Sequence, residues 1–422
     1  MHLVLLCSHF PYGTGETFLE AEVDYLIRQA DRITILAEDH RDGEATRPLP
    51  DRCTARRYAT DSSWQERLVI PWLILRHIRL FIRMIRQEIR VLRTVCHQTL
   101  TLAILRKMFH DWVKGMQIAR MLMRDFTPEH TIFYAYWLKN TALGIAMAHQ
   151  LCDAYHGISR AHGHDLYVEV HRPAYLSFQL FKATHLDRIY FISEQGRSYF
   201  IRQTGISSDR TAVARLGTPD PIQEAVGQDE SGEQESAPNV PLIVTCSNLP
   251  SSDVKRIPLL IQALSYIDFP LRWTHIGSGP MEGVCREMAR SLQADHPHIT
   301  CTFTGTVQNS EVHRFYRTHR VSAVVNVSRS EGLPVSLMEA ISYGIPILAT
   351  DVGGTSEVCN VRTGRLLPPD LTPEALAEAL REFVLEQAPH MDRDGIRHYW
   401  KEHFSARQNH TAFAREIASH CT

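Results

Sequence analysis

Glu331 and Glu339 lie eight residues apart in the stretch AVVNVSRSEGLPVSLMEAISYGIPILATDVGGTSEVCNVRTG, residues 323–364. The order of types is apolar strand, Glu-Gly-Leu-Pro turn, helix, Gly-Ile-Pro turn, apolar strand, Gly-Gly turn. Pro334 suits a turn or the first turn of a helix, because its fixed φ is helical and it has no N–H to leave unpaired. A helix starting near Val335 aims its unpaired N–H groups and positive dipole end back at the strand ends, which makes a phosphate site. The spacing puts Glu331 on the entry loop and Glu339 inside the helix. Carboxylates there accept hydrogen bonds from hydroxyls: one from a sugar and one from a ribose, with a diphosphate on the amides between. The ordinary alternative makes Glu331 a helix cap and Glu339 a solvated surface residue.

Other residues have types that fit such a site. Lys255 and Arg256 come shortly after the strand ending Thr245-Cys-Ser-Asn248. Cations there would stabilise charge gathering on a departing nucleoside diphosphate; a solvated pair at a helix start is the alternative. Trp273–Pro280 reads as a strand running into a turn with Gly277 and Gly279, and Thr304-Gly-Thr-Val as a second strand-turn. Phe10–Phe18 follows the first strand and holds Gly13 and Gly15, which let backbone approach a ligand closely. The third glycine of a dinucleotide fingerprint is absent. Ile158–Tyr167 ends another strand with His162 and His164; with Asp165 they offer a metal alternative, but the sequence supplies no further ligand cluster. Asp392-Arg-Asp394 is an Asp-x-Asp string in a polar segment, read as coincidence.

The elements that must position these groups alternate. Apolar runs at Leu3–Cys7, Ile33–Ala37, Thr131–Tyr136, Gly157–Ala161, Arg188–Ile192, Leu242–Cys246, Arg272–Ile276, Ile299–Thr304, Ala323–Val327 and Ile345–Ala349 read as strands, most followed by a helix-length segment. That rhythm implies βαβ units and parallel sheets. Met1 runs straight into the first of these strands, without a basic leader region. Residues 217–240 are rich in Pro, Gly, Glu and Ser and read as a linker. The domain expectation is 1–216, linker 217–240, 241–398, and a tail 399–422 returning to the first domain. Two open α/β sheets offer two sets of strand ends, a site for two substrates.

Composition narrows the classes. The 422 residues carry a formal net charge of −2, which argues against a global grip on nucleic acid. Nine cysteines lack any CxxC spacing, which points to a reducing compartment and away from a zinc site. Residues 64–125 form a basic helical insertion. There Arg76, Arg79, Arg83, Arg86, Arg90 and Arg93 recur at spacings of three and four, one stripe on a helix. Ile78, Ile82, Ile85, Ile89 and Leu92 form a second, apolar stripe. Such a helix can lie on an anionic membrane surface; a solvated basic edge is the alternative.

The run Ser-Glu-Gly-Leu-Pro, the spacing to Glu339-Ala, and Gly-Ile-Pro-Ile-Leu-Ala-Thr-Asp-Val-Gly-Gly-Thr-Ser-Glu resemble the donor-binding signature of family 4 glycosyltransferases. These are retaining enzymes of the GT-B fold: two Rossmann-like α/β domains facing across a cleft. The resemblance implies that Glu331 contacts the transferred sugar and Glu339 the ribose. It places the backbone of Gly332, Leu333 and Pro334 on sugar hydroxyls, and Val335 and Ser336 on phosphates. Lys255 matches the family's lysine on the diphosphate. Asn248 stands where the family has an arginine, and Arg256, in place of a glycine, is the substitute cation. Gly277 and Gly279 fall near the nucleotide, Thr304–Val307 near the base, Gly13 and Gly15 beside donor phosphate and acceptor, and His162 on the sugar. Tyr134-Ala-Tyr-Trp, Phe191-Ile-Ser-Glu-Gln-Gly and Arg215-Leu-Gly resemble the branch that builds bacterial cell-surface polysaccharides.

The implied activity moves a hexose-type sugar from a nucleotide diphosphate donor to a glycan or lipid-linked acceptor, with retention. The nucleotide sugar is a substrate, and neither cofactor nor metal is implied. The implied location is cytoplasmic, at the inner face of the membrane. A sugar-nucleotide epimerase and a degenerate, membrane-bound partner subunit are the rival readings; Asn248 favours the latter.

Overall fold

The structure is a computed structural model that describes residues 1–13, 15–38, 47–58, 64–95, 97–221 and 240–420. The expected linker falls largely on 222–239, outside the described residues. The chain divides into two compact units, Met1–Arg215 with Asn409–Thr422, and Leu216–Gln408.

Among the described residues the first unit holds seven strands: β1 His2–Cys7, β2 Arg32–Ala37, β3 Cys53–Arg57, β4 Thr131–Ala135, β5 His156–Ala161, β6 Arg188–Phe191 and β7 Thr211–Val213. They form one sheet in the order β3-β2-β1-β4-β5-β6-β7, and every pairing is parallel. β1 and β4 read as near-continuous apolar runs because helices cover both faces of a parallel sheet. Leu3, Val4, Leu5 and Leu6 are fully buried. The sheet order reverses direction between β1 and β4, the switch point where loops diverge and leave a crevice.

The second unit holds β8 Leu242–Cys246, β9 Leu271–Ile276, β10 Ile299–Phe303, β11 Ala323–Asn326, β12 Ile347–Thr350 and β13 Gly364–Leu367, ordered β10-β9-β8-β11-β12-β13. All pairings are again parallel. Its switch point lies between β8 and β11. The helix Arg393–His403 belongs to this unit, with Ile396 and Trp400 fully buried. The chain rejoins the first unit at Asn409, where Phe413 and Ile417 join the core around β1 and β4.

The expected strands are present, with ends shifted by one or two residues. Three strands were not expected: β3, β7 and β13. Each is a sheet edge. An edge strand is less covered, so its sequence carries less of the apolar signal. β3 reads CTARR, partly exposed throughout.

The basic insertion forms three helices after α1 (Thr17–Leu26): α2 (Trp64–Arg76), α3 (Ile78–Thr94) and α4 (Leu102–Asp125). The expected single stripe is corrected here. The helix breaks at His77, so Arg76 ends α2 and the other five arginines lie on α3. The buried row of α3 is Leu80, Met84, Glu88 and Leu92. Ile78 and Ile82 are exposed. These two flank the arginines on the outer side of α3, whereas Ile85 packs against the core. Glu88 sits in the buried face because it accepts hydrogen bonds from the Tyr175 hydroxyl at 2.7 Å and the Phe178 N–H at 2.8 Å. Among the described residues no helix is long and apolar enough to cross a membrane.

Candidate functional site

In the second unit the loops after β8 and β11 meet at the switch point. The Lys255 ammonium donates to Glu331 Oε1 at 2.6 Å, joining the two loops. Asn326, the last residue of β11, donates to the same oxygen at 3.1 Å, and its own oxygen accepts the Ser328 N–H at 2.9 Å. Glu331 does not cap the following helix; Pro334 occupies that position.

The helix Val335–Ser342 carries Glu339. Glu339 is 7% exposed, so it is not a solvated surface residue. Asn309 donates to its Oε1 at 2.7 Å. Burial pushes the Glu339 carboxyl up to about 7, and the Asn309 hydrogen bond pulls the other way. Both glutamates thus have Oε1 anchored by an asparagine amide. For both, Oε2 has no partner among the described residues. Cys246 feels both Glu339 and Lys255 electrostatically, so the two ends of the site converge at the end of β8; burial pushes its thiol up to about 12.

Between the glutamates the N–H groups of Leu337 and Met338 bond to the Pro334 carbonyl. Those of Val335 and Ser336 belong to the helix's unpaired first turn. Leu333 is buried, and the Gly332 carbonyl accepts the Gly354 N–H at 3.0 Å, which ties the Glu-Gly-Leu-Pro turn to the Gly-Gly turn.

Arg256 departs from expectation. Its guanidinium donates to the carbonyls of Val327, Pro369 and Ser328, at 2.5, 2.7 and 3.1 Å, and the residue is 5% exposed. It is a pin for the loop that carries Glu331 rather than a second cation on phosphate. The reason is geometric: planar guanidinium satisfies several carbonyls at once. Asn248 is exposed on the loop after β8.

Gly277 and Gly279 also have a structural cause. Their φ values are 131° and 156°, and a Cβ on Gly277 would stand 2.0 Å from the Ser247 carbonyl oxygen. Two strand-end loops touch there, backbone to backbone. Beside them lies a groove of about 420 Å³, lined by Ile276, Thr304, Val307, Glu311, Arg314 and Phe315 among others.

The remaining candidates lie in the first unit. His162 follows β5, is 6% exposed, and neither ring nitrogen has a partner among the described residues. Its ring lies between Tyr136 and Trp137, with centroids at 4.7 and 4.5 Å. Burial first, then Arg160 and Lys139, hold it far below the ordinary histidine range, so the ring is neutral at pH 7. Its backbone N–H is held by Asp165 at 2.6 Å. His164 is exposed, with its ring edge-on to His171 at 4.7 Å. Gly13 adopts φ 63°, and the Gly15 carbonyl accepts from Arg47. Asp392 caps the helix Arg393–His403 by accepting the Asp394 N–H at 3.1 Å, which accounts for the Asp-x-Asp string.

Sequence reasoning missed Asn309, Asn326 and Glu16, which organises the loop holding Gly13 and Gly15. Glu16 is 8% exposed and bonded to backbone N–H groups of Ser8, His9 and Phe10.

Comparison with known proteins adds to this geometry. Residues 240–386 match the family described as Glycosyl transferases group 1. The chain is 31% identical over 130 residues to TuaC of Bacillus subtilis (strain 168), a teichuronic acid biosynthesis glycosyltransferase by description. That match covers 30% of this chain and 29% of TuaC, so the chain spans less than a third of its relative's length. The lipopolysaccharide outer core galactosyltransferase WaaB, in its apo form, superposes with a TM-score of 0.67 at 14% identity, covering 100% of both chains. HepE of Anabaena, in complex with UDP and glucose, superposes at 0.64 and 14% identity, over 99% of this chain and 100% of HepE. Two Rossmann-like parallel sheets and these likenesses make the fold GT-B, and residues 240–386 carry the match to the group 1 glycosyl transferases.

Proposed function

We propose that this chain is a retaining, metal-independent glycosyltransferase that moves a hexose-type sugar from a nucleoside diphosphate donor to a glycan or lipid-linked acceptor in cell-surface polysaccharide synthesis. The observation that carries this reading is the pair Glu331 and Glu339, each with one carboxylate oxygen anchored and the other available. On this reading Glu331 accepts from the sugar and Glu339 from the ribose. The diphosphate rests on the N–H groups of Val335 and Ser336, and the base on the groove by Thr304 and Val307. The Lys255 ammonium stands beside Glu331, where it meets charge growing on the leaving diphosphate. Neutral His162 has one nitrogen to donate and one to accept, which suits a sugar hydroxyl.

The outer side of α3 supports docking on an anionic membrane surface. Arg79, Arg83, Arg86, Arg90 and Arg93 are exposed, and exposed Ile78 and Ile82 give the row an apolar flank. Each basic residue near such a surface contributes about 1 kcal/mol.

A panel of UDP-, GDP- and dTDP-sugars, read by calorimetry and then by transfer to glycan and lipid-linked acceptors, tests the reading. The expected result is one preferred donor, retained anomeric configuration, and turnover unchanged by EDTA. Glu331→Gln should abolish transfer while nucleoside diphosphate still binds. A new sugar nucleotide formed without acceptor would instead identify an epimerase. Binding without any turnover would identify a degenerate subunit.

A further inference from the structure

In both units a side chain from the loop after the first strand crosses the switch point to the loop after its neighbour. In the second unit it is Lys255, reaching Glu331. In the first it is Glu16, whose Oε1 accepts the indole N–H of Trp137, just past β4. The same carboxylate accepts three consecutive backbone N–H groups: Ser8 at 3.0 Å on Oε1, and His9 at 2.6 Å and Phe10 at 2.9 Å on Oε2. Glu16 itself sits at φ 53°, a conformation that a residue with a Cβ seldom adopts. All four partners are donors. A carboxylate, with acceptor sites on both oxygens, satisfies them; a carboxamide would turn its own N–H groups against some of them.

Trp137 is the wall against which His162 lies. Among the described residues nothing hydrogen-bonds the His162 ring to orient it. Both nitrogens are buried without partners, and the nearest Asp165 oxygen is 4.0 Å from Nδ1. Its orientation is set by the rings on either side, Tyr136 at 4.7 Å and Trp137 at 4.5 Å. Of these, Trp137 is anchored through Glu16.

We propose that Glu16 is a positioning residue: its carboxylate seats Trp137, and Trp137 sets the His162 imidazole in the orientation used for substrate. This rests on the assignment of His162 as a substrate contact, made above.

The test uses the full chain labelled with 5-fluorotryptophan, which carries six tryptophans. Trp137→Phe identifies the Trp137 fluorine resonance by its loss. In Glu16→Gln that resonance should move while the others stay. Turnover should fall about 10-fold, the scale expected from a small misplacement of a substrate contact, with donor KM unchanged. A merely space-filling Glu16 would tolerate glutamine. An unmoved Trp137 resonance, or wild-type turnover in Glu16→Gln, overturns the proposal. If Glu16→Gln does not fold, Trp137→Phe decides. It keeps the aromatic wall and the carboxylate but removes the indole N–H. It should lose turnover with donor KM unchanged, and full turnover overturns the proposal. Should the wild type bind no nucleotide sugar, the functional reading fails, and the fluorine spectrum still decides whether Glu16 seats Trp137.

Discussion

Glu339→Gln should stabilise the protein while crippling its site, and the gain should depend on pH. Burial raises the folded-state carboxyl to about 7 against an ordinary 4.5. A carboxyl raised on folding favours the folded state most below its unfolded pKa. That stability is lost as pH climbs from about 4.5 to about 7, and it is flat above. Glutamine keeps an oxygen for the Asn309 N–H and does not titrate. The gain over wild type should therefore be about 1 kcal/mol at pH 5 and about 3 kcal/mol at pH 8.5. For a unit of this size each kcal/mol shifts Tm by about 2–4 °C, so the pH 8.5 gain is about 6–12 °C. Losing the charged acceptor should weaken nucleoside diphosphate binding about 10- to 100-fold. Calorimetric melting at both pH values, with the transition assigned by its shift on adding UDP or GDP, makes the measurement. Equal Tm increments at the two pH values, or a loss of stability at pH 8.5, would refute the reasoning.

Lys255→Ala should lower kcat/KM about 100-fold, as loss of one preorganised transition-state contact does; undiminished activity contradicts its role. Arg256→Met should leave the carbonyls of Val327, Ser328 and Pro369 without donors and cost about 1–3 kcal/mol in denaturant unfolding. Arg256→Lys should not recover it, because one ammonium cannot span three carbonyls; full recovery by lysine would show that charge alone matters. Wild-type donor affinity should rise between pH 6 and pH 8 as Glu339 ionises, and a flat profile would mean that the ionised carboxylate is not the acceptor. Replacing Arg83, Arg86 and Arg90 together by Glu should abolish binding to phosphatidylserine vesicles at low salt, by sedimentation; persistent binding would place the membrane contact elsewhere.

How far the chain was readable depends on whether a feature is local. The central strands were legible because burial on both faces writes an apolar run. Edge strands β3, β7 and β13 were not, because an edge is less covered and carries less apolar signal; the fourth edge strand, β10, kept enough of it to be read. The buried row of α3 was legible in part, since Leu80, Met84 and Leu92 belong to its apolar surface. Glu88 occupies its centre, and what makes a glutamate tolerable there is Tyr175 and Phe178, distant in sequence.

The same division runs through the candidate site. The Glu-Gly-Leu-Pro turn, the helix behind it and the eight-residue spacing of Glu331 and Glu339 are written in the chain itself, since turn chemistry, helix period and unpaired first-turn amides are properties of contiguous residues. What holds each carboxylate came from folding: Lys255 and Asn326 on Glu331, Asn309 on Glu339. It alone turned Arg256 from a phosphate ligand into a loop pin, and gave Glu16 its four donors, one from a residue 121 positions away. A side chain's type states what bonds it can make, but its partners are set by where the strands of a sheet bring their ends.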